Sequence, residues 1–217
     1  MISIQYIHSK NIVHMDLKPD NIFLSCVDDT KFKGRPYLSD FGHSVNLDSR
    51  DFITLNHWRG TRRYLDPGSF QLDSNHSYGN KSMNVSKKTD IWSLGLVILF
   101  ILTGREVIWN KSDRESQQPW FFGKDTSYII KKVEGQLTEF TKLTLNYILQ
   151  WRIITELIPN MLKIQHDDRP DIEQCLDQFN ILVQDSEDSE DYRSDNKIYH
   201  SSNTVLNLLE EQDSSQD

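Results

Sequence analysis

An apolar segment at residues 91–102 constrains the fold more than any other feature of the sequence. Only Ser93 and Gly95 interrupt its large aliphatic and aromatic residues, so it has no polar face. Capping residues precede it at 86–90 and Gly104 follows it, which is the pattern of a complete helix. A helix that is apolar on all sides must be buried. Because its 12 residues are too few to span a bilayer, we expect a core helix.

Weaker patterns predict further elements on both sides of this helix. Residues 2–9 have a helical pattern, and residues 22–24 have that of a strand paired with 37–39 across the turn signal at 33–36. The polar stretch 40–85 shows neither pattern, and its length indicates a functional or a disordered segment. Four more helical patterns occur at 126–134, 137–149, 151–164 and 171–183.

Charge separates the end of the chain from the rest. Residues 184–217 contain ten acidic and two basic residues, whereas residues 1–183 contain 22 of each sign. The Ser-, Asp- and Glu-rich end is typical of a disordered tail. The neutral body has no basic face, so we expect no nucleic acid and no membrane among its partners.

The compartment follows from two features of the sequence. The first residues lack the basic and apolar regions of a signal peptide. Two cysteines, Cys26 and Cys175, are too few for a disulfide framework. We therefore expect an intracellular protein, in the cytoplasm or the nucleus.

The segment His-Met-Asp-Leu-Lys-Pro-Asp-Asn at residues 14–21 is the strongest functional signal. It resembles the catalytic loop of the eukaryotic protein kinases, His-Arg-Asp-Leu-x-x-x-Asn. Phosphoryl transfer needs a carboxylate near the attacking hydroxyl, a cation near the transferred group and a metal ligand close by. The resemblance implies that Asp16 accepts the hydroxyl proton, Lys18 neutralises the γ-phosphate of ATP, and Asn21 binds Mg²⁺ through its amide oxygen.

The tripeptide Asp-Phe-Gly at residues 40–42 lies 24 residues beyond Asp16 and follows the predicted strand pair. It resembles the kinase element of the same sequence. The resemblance implies that Asp40 binds the Mg²⁺ that bridges the β- and γ-phosphates. It also implies that Phe41 packs inward and sets the active or inactive state.

Three more segments match kinase elements in the correct order: Gly-Thr-Arg-Arg-Tyr-Leu-Asp-Pro-Gly at 60–68, Asp-Ile-Trp-Ser-Leu-Gly at 90–95 and His-Asp-Asp-Arg-Pro at 166–170. By resemblance, Thr61 bridges the catalytic Asp and Lys, a feature of serine/threonine kinases. Asp90 would accept hydrogen bonds from the catalytic-loop backbone, and His14 would brace that loop through its ring. Arg169 would form a buried ion pair.

Together the five segments resemble the kinase C-lobe over residues 1–183. The implied fold is mainly α, a helical bundle around a buried central helix with short β-strands at the active site. Nothing matches the Gly-rich loop, the ATP-positioning Lys, its Glu partner or the hinge, so we expect the N-lobe to be absent. The implied cofactors are ATP and Mg²⁺, and the implied partners are a protein substrate and regulatory proteins that dock on the C-lobe.

The sequence departs from the family at Met15, where kinases usually carry an Arg that pairs with an activation-segment phosphate. Because Met cannot bind phosphate, control by phosphorylation of Ser44, Ser49 or Thr54 is not expected through this position. Met15 together with His43 is similar to the Wee/Myt group of kinases.

A second departure is Gly68, which replaces the Glu that usually pairs with the residue matched by Arg169. A buried Arg without a partner is costly. We therefore expect either that Arg169 pairs with another acid, such as Asp66, or that the segment is loose.

Two functions fit these residues. The first is a serine/threonine protein kinase that transfers phosphoryl from Mg-ATP to a protein hydroxyl, here as a truncated C-lobe. The alternative is a non-catalytic kinase-like interaction protein, a pseudokinase or scaffold, and Mg·ATP affinity separates the two.

Overall fold

Helix α2 (Lys87–Thr103) lies at the centre of the computed structural model, which describes residues 1–25, 34–70, 82–107, 109, 119–121, 124–143 and 147–188. Ser86 Oγ accepts the Lys88 amide at 3.2 Å, and Thr89 Oγ1 accepts the Ser86 amide at 3.2 Å, so a capping box begins the helix. Gly104 ends it with a left-handed φ of 65°. The predicted helix is confirmed, although its last turn is not buried, since Ile101 is 66% exposed.

The described residues form three antiparallel strand pairs. The pairs are β1 (Ile12–Val13) with β4 (Val45–Asn46), β2 (Ile22–Leu24) with β3 (Pro36–Leu38), and β5 (Ile53–Leu55) with β6 (Met83–Val85). The β2–β3 pair confirms the prediction, with the partner strand shifted by one residue. The prediction that 40–85 lacks regular structure is wrong, because β4, β5 and β6 lie within it.

The helical elements dominate, which confirms the mainly α character of the chain. They are α1 (Ile2–Ser9), α3 (Thr126–Leu143), α4 (Ile148–Arg152), a π-helical turn (Ile153–Leu157), α5 (Ile158–Met161) and α6 (Ile172–Asp188). The predicted break near residue 135 is wrong, because α3 runs through Gly135. The break predicted at 150 is also wrong, since α4, the π-helical turn and α5 follow one another without interruption. None of the described helices is long and apolar enough to cross a membrane.

The predicted boundary at residue 183 falls inside a helix. Helix α6 continues to Asp188, so the first residues of the predicted tail are helical. The composition of residues 184–188 predicted disorder, but the helical spacing of the apolar residues in α6 favours continuation of the helix. The remainder of that tail, 189–217, lies outside the described residues.

A buried ion pair joins Arg169 to Asp66, 103 residues earlier in the chain. Arg169 donates to Asp66 twice, Nη1 to Oδ2 at 2.9 Å and Nη2 to Oδ1 at 2.5 Å. Its remaining donors reach the backbone carbonyls of Lys163 at 2.5 Å, Lys88 at 2.8 Å and Ile164 at 3.1 Å. All five guanidinium N–H groups are therefore used. Pairing with Asp66 is the first of the two outcomes that the sequence predicted for Arg169.

Gly68 belongs to the same arrangement. A Cβ atom at this position would lie 1.9 Å from the Ile164 carbonyl oxygen and 2.9 Å from Arg169 Nη2. The Gly68 amide instead donates to Asp66 Oδ1 at 2.8 Å. The acid that pairs with Arg169 is therefore at position 66 and not at position 68. The absence of a side chain at position 68 lets the Ile164 carbonyl lie close to the Gly68 backbone.

Removal of this carboxylate is expected to destabilise the chain strongly. Asp66→Asn leaves the buried Arg169 without a counter-charge, which costs about 3–5 kcal/mol of unfolding free energy. The matched control is Asp48→Asn, which breaks an exposed pair with Arg50 and should cost less than about 1 kcal/mol. Urea unfolding measures both. Equal losses in the two variants would contradict a stabilising buried pair.

The same pair predicts a loss of stability in acid. Burial alone would raise the pKa of Asp66, but the Arg169 charge and the hydrogen bonds from His166 and Arg169 outweigh it, and the pKa lies far below its usual value. Such a group stabilises the fold above its unfolded pKa of about 3.9 and loses that contribution as pH falls below it. The stability gap between wild type and Asp66→Asn should therefore narrow from pH 5 toward about pH 2. A constant gap in urea titrations would contradict this.

Candidate active site

A three-residue cluster forms the centre of the site. Lys18 Nζ donates to Asp16 Oδ2 and to Thr61 Oγ1, both at 2.9 Å, and the Thr61 amide donates to Asp16 Oδ1 at 2.7 Å. Burial would raise the pKa of Asp16, but the hydrogen bonds from Thr61 and Lys18 and the Lys18 charge hold it below its usual value. The carboxylate is therefore ionised near neutral pH and can accept a proton or a hydrogen bond.

Asn21 is fixed against Asp16 by its side-chain amide. Its Nδ2 donates to the Asp16 carbonyl at 2.8 Å and to Asp16 Oδ2 at 3.2 Å. A short 3₁₀ turn, Pro19–Asn21, carries it to this place. Because the amide nitrogen faces Asp16, the amide oxygen is directed away from it, as a metal ligand at this position requires.

Asp40 is tied to Asn21 through the residue between β3 and the Asp-Phe-Gly element. Both the amide and the hydroxyl of Ser39 donate to the Asn21 carbonyl at 2.9 Å. Asp40 itself is exposed and has a left-handed φ of 59°, which is uncommon outside Gly. The carboxylate of Asp40 and the amide oxygen of Asn21 are the hard oxygen donors that suit Mg²⁺. No cluster of three or more His, Cys, Asp or Glu able to hold a metal occurs among the described residues.

Phe41 does not pack inward as predicted. Its ring is 46% exposed and meets the His14 ring edge-on with 4.9 Å between centroids. The sequence shows that Phe41 is apolar, but it does not show whether any part of the fold covers its ring.

The Asp90 carboxylate binds the backbone of the loop that carries Asp16. Its Oδ2 accepts the His14 amide at 2.8 Å, and its Oδ1 accepts the Met15 amide at 2.9 Å. His8 Nε2 also lies 2.9 Å from Oδ2. Sequence reasoning missed His8, because helix α1 offers no motif that marks one polar residue among its apolar ones.

The ring of His14 links the segment at residues 14–21 to the residue that precedes the Asp-Phe-Gly element. Its Nε2 lies 2.9 Å from the Ser39 carbonyl, and the Asp16 amide donates to its Nδ1 at 3.3 Å. The neutral tautomer with a proton on Nε2 satisfies both bonds. Met15, the neighbour that replaces Arg, is buried and has a left-handed φ of 70°.

We expect Asp90→Asn to loosen the catalytic loop. An amide offers one acceptor where the carboxylate offers two, so the His14 and Met15 amides lose a charge-assisted hydrogen bond. Their hydrogen exchange should become about ten- to a hundredfold faster. Asp125→Asn, at an exposed carboxylate that accepts the Tyr128 amide, is the matched control and should leave both amides unchanged. Unaltered exchange in Asp90→Asn would show that other contacts hold the loop.

Comparison with known proteins agrees with this geometry. The meiosis-specific serine/threonine-protein kinase mek1 of Schizosaccharomyces pombe is 28% identical over 179 residues, which cover 80% of this chain and 33% of that protein. The serine/threonine-protein kinase RUNKEL of Arabidopsis thaliana is 30% identical over 138 residues, which cover 64% of this chain and 8% of that protein. The phosphorylase b kinase gamma catalytic chain, liver/testis isoform, of Mus musculus is 33% identical over 112 residues, which cover 50% and 24%.

This chain therefore spans a third or less of the length of these relatives. The comparisons do not test the Wee/Myt assignment, which stays a prediction from Met15 and His43. The family model for the protein kinase domain matches residues 1–179, nearly the whole of the described part. The chain belongs to the eukaryotic protein kinase family.

Proposed function

We propose that this chain carries the phosphoryl-transfer residues of a serine/threonine protein kinase, which moves a phosphoryl group from Mg-ATP to a protein hydroxyl. The observation that carries the proposal is the bridge from Lys18 to both Asp16 and Thr61, at 2.9 Å each. The ionised Asp16 orients the substrate hydroxyl and accepts its proton. Lys18 supplies positive charge where negative charge develops on the transferred group.

Asn21 and Asp40 are the residues that would hold the metal. Bound Mg²⁺ supplies positive charge that neutralises the phosphate oxygens of ATP. Asn21 contributes an amide oxygen fixed by its bonds to Asp16, and Asp40 a carboxylate tied to Asn21 through Ser39. Lys18 would also contact the phosphates of a bound nucleotide, and would then serve both catalysis and cofactor binding.

Four residues act by positioning the others. Thr61 holds Asp16 and Lys18 in register, and Asp90 anchors the loop backbone under Asp16. His14 joins that loop to the Asp-Phe-Gly segment, and Arg169 ties the end of the activation segment to the start of α6. Each of these roles is supported by the hydrogen bonds described above.

The proposed function also implies a domain organisation, a set of partners and a location in the cell. We take residues 1–183 as the C-lobe portion of a kinase domain and 184–217 as an acidic tail whose first residues, up to Asp188, continue helix α6. The partners are a protein substrate and regulatory proteins that dock on the C-lobe, with no nucleic acid or membrane. The location is intracellular, in the cytoplasm or the nucleus. Met15 offers no group that would read an activation-segment phosphate.

A kinase-like interaction protein is the second candidate. It is favoured by the apolar surface beside the site, where Phe23, Leu24 and Tyr37 of the β2–β3 pair are each more than half exposed. A chain of this kind would bind partners through such surfaces without turning over ATP. The joint presence of Asp16, Lys18, Asn21 and Asp40 weighs against it, because a chain without turnover has no need of all four.

Mg·ATP binding and phosphotransfer to a serine/threonine peptide mixture test the proposal on the full 217-residue chain. We expect Asp16→Asn to lower phosphotransfer about a thousandfold, because it removes the proton acceptor, while ATP still binds. Asp40→Asn should weaken Mg²⁺-dependent ATP binding. The control Asp125→Asn should preserve both activities.

Each result decides between the candidates. Undiminished phosphotransfer by Asp16→Asn would overturn the role given to Asp16. A chain that binds no Mg·ATP even with a kinase N-lobe supplied in trans, with its thermal unfolding transition intact, would move the assignment to the interaction protein.

A further inference from the structure

Three large apolar side chains are exposed at the start of α4, which packs against α6. They are Tyr147, which is 60% exposed, Ile148, which is 47% exposed, and Trp151, which is 37% exposed. Ile148 and Trp151 are three residues apart, so they share one face of the helix. We call these three residues the α4 surface. Within the described part of the chain, nothing covers it fully.

Two contacts show that α4, with the π-helical turn that continues it, runs antiparallel to α6. Arg152 Nη2 donates to Asp185 Oδ2 at 3.2 Å, and Gln178 Nε2 donates to the Glu156 carbonyl at 3.0 Å. The residue number therefore rises along one element while it falls along the other. As a consequence, the chain that follows Asp188 starts beside the first residues of α4, where the α4 surface lies.

The sequence beyond α6 contains one aliphatic segment. Four of the five residues at 205–209 are Val or Leu, and the fifth is Asn207. This spacing places the four apolar side chains on one face of a helix and Asn207 on the other. Residues 189–203, 15 in number, precede Thr204. A connection of this length spans on the order of 20 Å, which is sufficient to return the segment to the start of α4.

Chain connectivity favours this segment as the occupant of the α4 surface. A tether holds a segment near its site at an effective concentration in the millimolar range. An apolar contact that is too weak to hold a free partner is therefore populated within one molecule. Contact between the leucine side chains and the exposed Ile148 and Trp151 removes apolar area from water on both sides.

We propose that residues 205–209 dock on the α4 surface of the same molecule as an amphipathic helical segment, with Val205, Leu206, Leu208 and Leu209 against Tyr147, Ile148 and Trp151. The contact does not depend on phosphoryl transfer, so it goes beyond the proposed function. It makes the α4 surface a site that another protein reaches only after the segment has left.

Hydrogen–deuterium exchange on the full 217-residue chain tests the contact. We expect the amides of 205–209 to exchange about tenfold more slowly than in a free synthetic peptide of residues 189–217. The double variant Leu206→Asp, Leu209→Asp places charges in an apolar contact and should remove this protection. It should also speed exchange of the Trp151 amide, which donates to the Tyr147 carbonyl at 2.9 Å.

A variant on the other side of the contact makes the test reciprocal. Ile148→Asp places an acid at the first residue of a helix, where the helix dipole favours it, so the fold should persist. Protection of 205–209 should nevertheless be lost.

Two controls add the same charge elsewhere. Asn207→Asp changes the polar side of the segment. Phe52→Asp changes an exposed apolar residue that lies with residues 165–167, before the start of α6. Both variants should keep the protection of 205–209.

The outcomes separate this contact from its alternatives. Absence of protection at 205–209 in the wild type, or protection that survives Ile148→Asp, would overturn the proposal. Protection that disappears on dilution, together with a dimer in sedimentation, would assign the α4 surface to a second copy of the chain and overturn the intramolecular contact. Protection that persists on dilution, and that both apolar-side variants remove while Asn207→Asp does not, would establish it.

Discussion

The arrangement of the site depends on one carboxylate in the first turn of the buried central helix. Asp90 accepts hydrogen bonds from two successive backbone amides of the catalytic loop, at 2.8 and 2.9 Å. The N-terminus of α2 carries the positive end of the helix dipole, which favours a negative group there. Because α2 is buried on all but its last turn, Asp90 ties the loop that carries Asp16 to the hydrophobic core.

A second constraint is electrostatic balance beside that loop. Lys18 is shared between Asp16 and Thr61, and the neighbouring Arg63 is neutralised by Glu106. The reactive carboxylate is therefore held in its ionised form by local contacts rather than by a net field.

Sequence reasoning succeeded where a pattern and its flanking signals agreed. Helix α2 has capping residues at both ends of its sequence, and a turn signal lies between the sequences of β2 and β3, so both were predicted. Strands of two or three residues, such as β1 and β4, are too short to show alternation and depend on pairing across the chain. The break predicted between residues 134 and 137 does not occur, because α3 continues through Gly135. His8 and the exposure of Phe41 depend on distant contacts, which no local pattern reports.

The acid that pairs with Arg169 stands at position 66 and not at position 68, and this limits which substitutions the chain tolerates at both positions. Restoring Glu at 68 alone places a side chain where the Ile164 carbonyl stands 1.9 Å from the Cβ position. Substitution of Asp66 alone leaves the buried Arg169 without a counter-charge. Each of these single substitutions is expected to destabilise the fold, so the residues at positions 66 and 68 are constrained together.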